Sequence, residues 1–371
     1  MSSSGSLKRP HDDDDCLQPF KKAIIEIQDP VFDDFTKRTE SSLTTSEIGL
    51  YNLRRRIANS VDVVAENKTM ISKVKNDWSE MPTIAQKGME NFTGAICYRL
   101  SLLQALIHQT LFVHFLLDLH RPEHCVSDSI AGCVACSLRL LVLEYWKPSS
   151  ARSGISKVLR GMHAVFSSLG WAADVWSGHA DPEDQLTWIM NILESELPSS
   201  PEADTYPGHQ DFPLAIDIFQ TIKDPDATLA TYLERYMVEK LSDYRCDGCQ
   251  DATKEKDRIQ LITQAPEILA IQIKRIDPIT KNKIKNHVNI DPILNLNFYR
   301  DSTVKDQLIY ELNAVIKHRG DEKDGHYIAF ARGPDGVWSQ YDDSRRFTCT
   351  LATATSSMGD FTPYLMCYQR K

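Results

Sequence analysis

The apolar pattern changes its period half-way along the chain, and that change limits the fold more than any other feature. From residue 46 to 197 the apolar positions recur at helical spacing. Ile48, Leu50, Tyr51, Leu53, Ile57, Val61 and Val64 form one stripe, with Ser46 placed to cap it. Residues 100–119 form a longer apolar run carrying Gln104, His108, Gln109 and His114. That run reads as one buried helix and not as a membrane span. Further helices are expected over 131–146, over 155–170 with its glycine stop, and over 181–197, which opens on Asp-Pro. Residues 198–211 are rich in Pro, Ser and Gly and read as a loop. Beyond them the pattern alternates. Strands are expected at 212–219, twice within 257–277, and in the stretches KNKIKNHVNIDPILNL, IYELNAVIKHRG, HYIAFARG, GVWSQYDD and PYLMCYQRK. One helix, 227–241, lies among them. A helical half followed by a β half implies an α+β chain with its site in the cleft between the two.

Of the 371 residues, 42% are hydrophobic, enough for a real core. The net charge of −9 excludes the basic face that a nucleic-acid binder needs, and it suits a basic protein partner. The nine cysteines are scattered, and the polar N-terminus carries no secretory signal. Free thiols in the cytoplasm and/or nucleus are therefore expected, with no membrane association. Residues 1–45, rich in Ser, Asp and Lys, are expected to be disordered or loosely packed. Residues 46–80 form an N-terminal helical segment, and 81–371 a catalytic domain.

Cys97 sits between Gly94-Ala95 and the apolar run, at the start of a helix. A helix N-terminus favours thiolate, and its unpaired N–H groups can face an oxyanion. His326 opens a strand pattern after Gly325, so its ring stays reachable. A second strand, GVWSQYDD, would bring Asp342 or Asp343 beside it to fix the tautomer. Each residue alone has a plainer reading, as an inert thiol or a packed polar side chain. The ordered set of Cys, distant Gly-His and Asp at hairpin distance points to nucleophilic catalysis.

These stretches resemble the ubiquitin-specific protease family. GAICYRLSLLQALIH is similar to its Cys box, GNTCYxNSxLQALxH, and DGHYIAFARGPDGVWSQYDDS to its His box. PEDQLTWIMNIL resembles QxDAxEFLxxLL, and the segment with YRCDGC and PEILAIQIKRID resembles the family's segment with a helix, a CxxC and the strand PEILxIxLKRF. IKNHVNIDPILNL and PYLMCYQRK match the remaining connectors in order, so the resemblance covers residues 88–371. It implies a papain-like cysteine protease fold with a helical thumb, a β-rich palm and reduced β fingers. It also implies hydrolysis of the bond after the C-terminal glycine of ubiquitin, with ubiquitin and ubiquitylated proteins as partners. Carried over by position, Cys97 is the nucleophile, His326 the base, Asp342 its orienting carboxylate and Asp343 a helper. Asp184, Gly325 and Tyr327 would bind the ubiquitin tail.

Three departures stand out. The family's oxyanion Asn falls on Phe92, with Asn91 one residue further away, so Asn91 takes that role only if the chain bulges. The Asn after CYx is Leu100, and the Gln of QxDA is Pro182. The family often holds zinc on two CxxC pairs in the fingers, but here only Cys246 and Cys249 occur there, with His209 as a further donor. Four ligands are needed for a closed structural site, so no cofactor is expected. Cys133 and Cys136 form a second CxxC inside an apolar helix and read as core thiols. Two alternatives stay open: a weakened relative that binds ubiquitin as a scaffold, and a protease for a ubiquitin-like modifier.

Overall fold

The computed structural model describes residues 78, 87–119, 125, 132–148, 150–171, 179–196, 214–217, 227–241, 256–263, 265–277, 279–280, 282–321 and 325–371. The expected extension over 1–45, nearly all of the 46–80 segment, His209, Cys246 and Cys249 lie outside the described residues.

The chain divides into two compact units. The larger, residues 63–238 and 259–371, holds a mostly antiparallel sheet with helices on both faces. Its strands are β1 (Leu214–Asp217), β4 (Ile268–Lys274), β5 (Ile293–Asn295), β6 (Ile309–Gly320), β7 (Gly325–Arg332), β8 (Trp338–Asp342), β9 (Arg345–Cys349) and β10 (Thr362–Arg370). They run in the order β1-β4-β10-β6-β7-β8-β9, with β5 paired to β6, and β1 parallel to β4. The other unit covers residues 1–62 and 239–258. Most of a two-stranded ladder is described in it, β2 (Val238–Leu241) with β3 (Lys256–Ile259), where Arg258 meets Glu239 at 2.6 Å. Val238 and Ile259 at the ladder's margins count with the larger unit.

Strand alternation sends side chains to two separate cores. Ala270, Ala314, Ile316, Ala329, Ala331, Leu365 and Cys367 face one helical layer. Leu269, Ile271, Val315, Ile328, Phe330, Met366 and Tyr368 face the other, which holds α6 (Leu229–Met237). The first layer contains α1 (Cys97–Ile107), α2 (Thr110–His114), α3 (Val134–Trp146), α4 (Arg152–Ser168) and α5 (Pro182–Glu196). Small residues on the sheet let α1 lie directly on it, and every residue of α1 is buried. A helix buried on every face is an interior helix. Here it holds Cys97 at its first position.

Three expectations need correction. The run over 100–119 is not one helix: it breaks after Ile107, and the two parts meet at 89°. The break is made by its own polar residues. The His108 ring bonds the Gln104 carbonyl at 2.7 Å and the Tyr341 hydroxyl at 3.0 Å, while Gln109 adopts an extended backbone. The helix over 227–241 ends at Met237, because Val238–Leu241 pairs as β2. Cys133 lies outside helix α3 as its N-cap, with its sulfur accepting the Cys136 N–H at 3.2 Å. Among the described residues, no single helix is long and apolar enough to cross a membrane.

Candidate active site

Cys97 occupies the first turn of α1, where backbone N–H groups have no partner within the helix. The chain reaches it through a turn at Asn91–Gly94, closed by Gly94 N–H to the Asn91 carbonyl at 3.3 Å. Gly94 has φ +80°, a conformation that a side chain would strain. The thiol is buried, with 5% exposure.

His326 enters from β7 and meets Cys97 across the helix–sheet boundary. Its Nε2 lies 2.7 Å from Asp342 Oδ1, which leaves Nδ1 as the ring atom able to serve Cys97. The neighbouring Cys97 side chain, with the Asp342 bond beside it, outweighs burial and raises the His326 pKa to about 9. The imidazolium is thus the favoured form at neutral pH.

The two aspartates diverge because a strand ends between them. Asp342 is the last residue of β8 and pairs with Arg345 across a two-residue hairpin. Asp343 is the first loop residue, with φ 50°, in the left-handed region that such turns use. Its carboxylate turns to Asn91, whose Nδ2 donates to Oδ2 at 3.1 Å. Burial raises the Asp343 pKa, and its Oδ1 is buried without a hydrogen bond. The Asp343 carbonyl also accepts the Met89 N–H at 2.7 Å. A Cβ on Gly88 would lie 2.3 Å from the Ser344 carbonyl carbon, so the hairpin and the Cys97 approach segment touch backbone to backbone.

Asn91 therefore ties the site together. Its Oδ1 accepts the Ile96 N–H at 3.3 Å while its Nδ2 holds Asp343. Phe92 points away, edge-on to His163 and beneath the Arg160 guanidinium at 4.5 Å. The two positions are exchanged relative to the expected pattern, and Asn91 is the one at the centre.

Among the other candidates, Gly325 approaches so closely that an added Cβ would sit 2.2 Å from His318 Nε2. Tyr327 stacks on His318 at 4.4 Å and donates its hydroxyl to Asp181 Oδ2 at 3.2 Å. Asp184 is exposed on the first turn of α5. Sequence reasoning treated Asp181 only as the start of that helix. It does cap it, accepting the Glu183 N–H at 2.7 Å, but its second oxygen takes both Tyr327 and Tyr364 from the sheet. Burial raises its pKa. Tyr364 in turn accepts from Gln272 at 2.7 Å. Neither Tyr364 nor His318 was singled out from the sequence, and the Tyr364 partners Asp181 and Gln272 are distant in it.

The fold and site define a papain-like α+β architecture in which a helix-borne cysteine meets a strand-borne histidine and aspartate. A family model described as ubiquitin carboxyl-terminal hydrolase matches residues 87–368, and the chain belongs to that family. It is 23% identical to ubiquitin carboxyl-terminal hydrolase 8 of Saccharomyces cerevisiae, over 68% of this chain and 64% of that protein. It is 25% identical to ubiquitin carboxyl-terminal hydrolase 17 of Homo sapiens, over 79% of this chain and 57% of the relative. The chain thus spans less than two thirds of these relatives' lengths. The SAGA Ubp8/Sgf11/Sus1/Sgf73 DUB module bound to ubiquitin aldehyde has a similar chain fold, with TM-score 0.63 at 21% identity, covering 84% of this chain and 75% of that one. The same module without ubiquitin in its description gives a TM-score of 0.58 at 21% identity, covering 79% and 70%.

Proposed function

We propose that the chain is a thiol-dependent deubiquitinase, cleaving the isopeptide or peptide bond after the C-terminal glycine of ubiquitin. The observation that carries this reading is His326, held by Asp342 at 2.7 Å on the strand that packs against the helix of Cys97. Such a ring takes the thiol proton and is held in the tautomer that can return it. The Cys97 thiolate attacks the glycine carbonyl carbon, and the carbonyl oxygen becomes an oxyanion facing the N–H groups at the start of α1. The carbon–nitrogen bond then breaks, the leaving amine takes the proton from His326, and a thioester remains on Cys97. Water, deprotonated by His326, attacks the thioester, releases the ubiquitin carboxylate and restores the thiol.

The ubiquitin tail is basic, and Glu183 and Asp184 on the first turn of α5, which follows the Asp181 that Tyr327 contacts, offer complementary charge. Gly325 gives the narrow passage that a diglycine end needs. The catalytic domain is assigned to 81–371, the N-terminal segments 1–45 and 46–80 being outside it. The free thiols fit a cytoplasmic or nuclear setting. The reaction needs no cofactor.

One observation favours the weakened-scaffold reading: the Asn91 amide is committed to Asp343. Protease action on a ubiquitin-like modifier is the other alternative. Replacement of Cys97 by Ala separates activity from binding. Hydrolysis of a ubiquitin C-terminal amide should vanish while ubiquitin binding persists, whereas turnover near the wild-type rate would rule out Cys97 as nucleophile. Parallel substrates built on ubiquitin-like modifiers decide the specificity.

A further inference from the structure

A pocket of about 560 Å³ opens beside the catalytic hairpin, along the N-terminal half of α4. Arg152, Ser156 and Arg160 recur there every four residues, so their side chains share one face of the helix. Lys157 lies beside them, and Glu90 and Ser344 close the other wall. Ser344 directly follows Asp343, and Glu90 directly precedes Asn91. None of the pocket's residues takes part in the chemistry proposed above.

The pocket is basic in a chain whose net charge is −9. Three cations meet one carboxylate, Glu90, so positive charge is left over. Glu90 holds Arg160 at 3.6 Å, but both side chains are about half exposed. Such a pair is weak, and an incoming acid can compete for the guanidinium. Arg152 and Lys157 are exposed and, among the described residues, have no ion-pair partner. The N-cap Ala151 offers no side-chain acceptor, so the start of α4 adds the positive end of its dipole to the same corner. The Ser156 hydroxyl supplies a neutral donor for a carboxylate oxygen.

Helix α4 reaches α5 near its C-terminal end, where Phe166 meets Trp188 at 5.1 Å. The pocket lies along the opposite end, away from the α5 acids assigned to the ubiquitin tail. On the deubiquitinase reading above, which this assignment rests on, we infer that the pocket receives acidic side chains of the ubiquitylated protein. These side chains flank the modified lysine, on the leaving side of the scissile bond. The net negative chain repels acidic proteins at a distance. The pocket attracts them only within a Debye length, about 8 Å at physiological salt. Acidic flanks are therefore selected in the docked complex, and the effect falls on KM with no change in the chemical step.

The test uses ubiquitin joined by an isopeptide bond to a lysine in two peptides. The peptides differ only in the residues flanking that lysine, Asp and Glu in one, Asn and Gln in the other. Affinity is measured on the Cys97→Ala full chain, and kcat/KM on the wild-type chain. At low salt the acidic conjugate should bind about tenfold tighter, and kcat/KM should favour it by a similar factor through KM. In about 0.5 M salt the two conjugates should converge to within about twofold. Arg152→Glu/Lys157→Glu should abolish or reverse the preference in both assays. The same variant should hydrolyse a fluorogenic ubiquitin C-terminal amide at the wild-type rate, because that small leaving group carries no acidic flank. Should the double variant fail to fold, Lys157→Gln should still cut the preference by about threefold. Equal affinity for the two conjugates overturns the inference, as does a preference that survives either high salt or the charge reversal. A wild-type chain that cleaves no amide overturns the protease reading alone, since conjugate binding to Cys97→Ala still decides the role of the pocket.

Discussion

Replacing Asp342 by Asn keeps the shape of the site and removes one charge. In the native site the carboxylate meets His326 Nε2 at 2.7 Å, a charge-assisted bond. Such bonds contribute about 1.5–3 kcal/mol. Both side chains are partly exposed, at 24% and 31%, so solvent screening favours the lower end. At about 1.4 kcal/mol per pKa unit, the ring should fall by about one unit from its native value, which is about 9. At neutral pH the ring stays mostly protonated, so that alone changes the rate by only about a tenth. The larger loss is orientational. An amide can present its N–H to Nε2, which puts the ring proton on Nδ1, facing the sulfur that it should deprotonate. In serine proteases the corresponding change costs about 10⁴-fold in turnover. Here kcat/KM toward a fluorogenic ubiquitin C-terminal amide should fall by about 10²–10⁴. The basic limb of its pH profile should move to lower pH by about a unit. A rate within about threefold of wild type, or a larger loss in Asp343→Asn, would refute the assignment of Asp342 as the orienting carboxylate.

Three further outcomes follow from the same geometry. Asn91→Ala should lower kcat by about 100-fold or more if its amide also serves the oxyanion; an unchanged kcat would mean that it only links the Ile96 N–H to Asp343. Gly88→Ala forces a methyl group against the Ser344 and Asp343 backbone, so it should cost about 1–3 kcal/mol in a denaturation series and slow turnover; unaltered stability would show that the two segments do not touch in solution. His108, fully buried, has its pKa lowered to about 4 by desolvation. Its folded pKa lies below the unfolded value, so the unfolded chain binds the extra proton. Stability from neutral His108 is complete above about pH 6.5 and is lost as pH falls toward 4, by on the order of 3 kcal/mol at most. A His108→Gln chain should show a shallower acid decline, and an identical decline would remove His108 from the account.

Much of this was legible in the sequence where the controlling contact is local. The β6, β7, β8 and β10 strands follow from alternation, and α5 from its Asp-Pro start. Cys97 at a helix start and Asp342 at a strand end could be placed from neighbouring residues alone. What escaped depends on tertiary pairing. Residues 100–119 have a continuous helical pattern, yet His108 finds Tyr341, far along the chain, and the helix turns there. Val238–Leu241 has helical neighbours but is claimed by β3. The β9 strand, RRFTC, is largely exposed and has little apolar alternation, so no pattern marked it. Asp181 carried a signal for its capping role only; its ties to Tyr327 and Tyr364 come from strands more than a hundred residues away. Asn91 was weighed against Phe92 by spacing, and the choice between them rests on the Asp343 carboxylate.

The central claim is that Cys97 is a nucleophile activated by His326 toward the end of ubiquitin. A ubiquitin carrying an electrophilic group at its C-terminus tests it in one step. Intact mass should show a single ubiquitin adduct on the wild-type chain, peptide mapping should put it on Cys97, and Cys97→Ala should form none. A chain that binds ubiquitin under the same conditions but forms no adduct, or that forms it on another cysteine, would contradict the account.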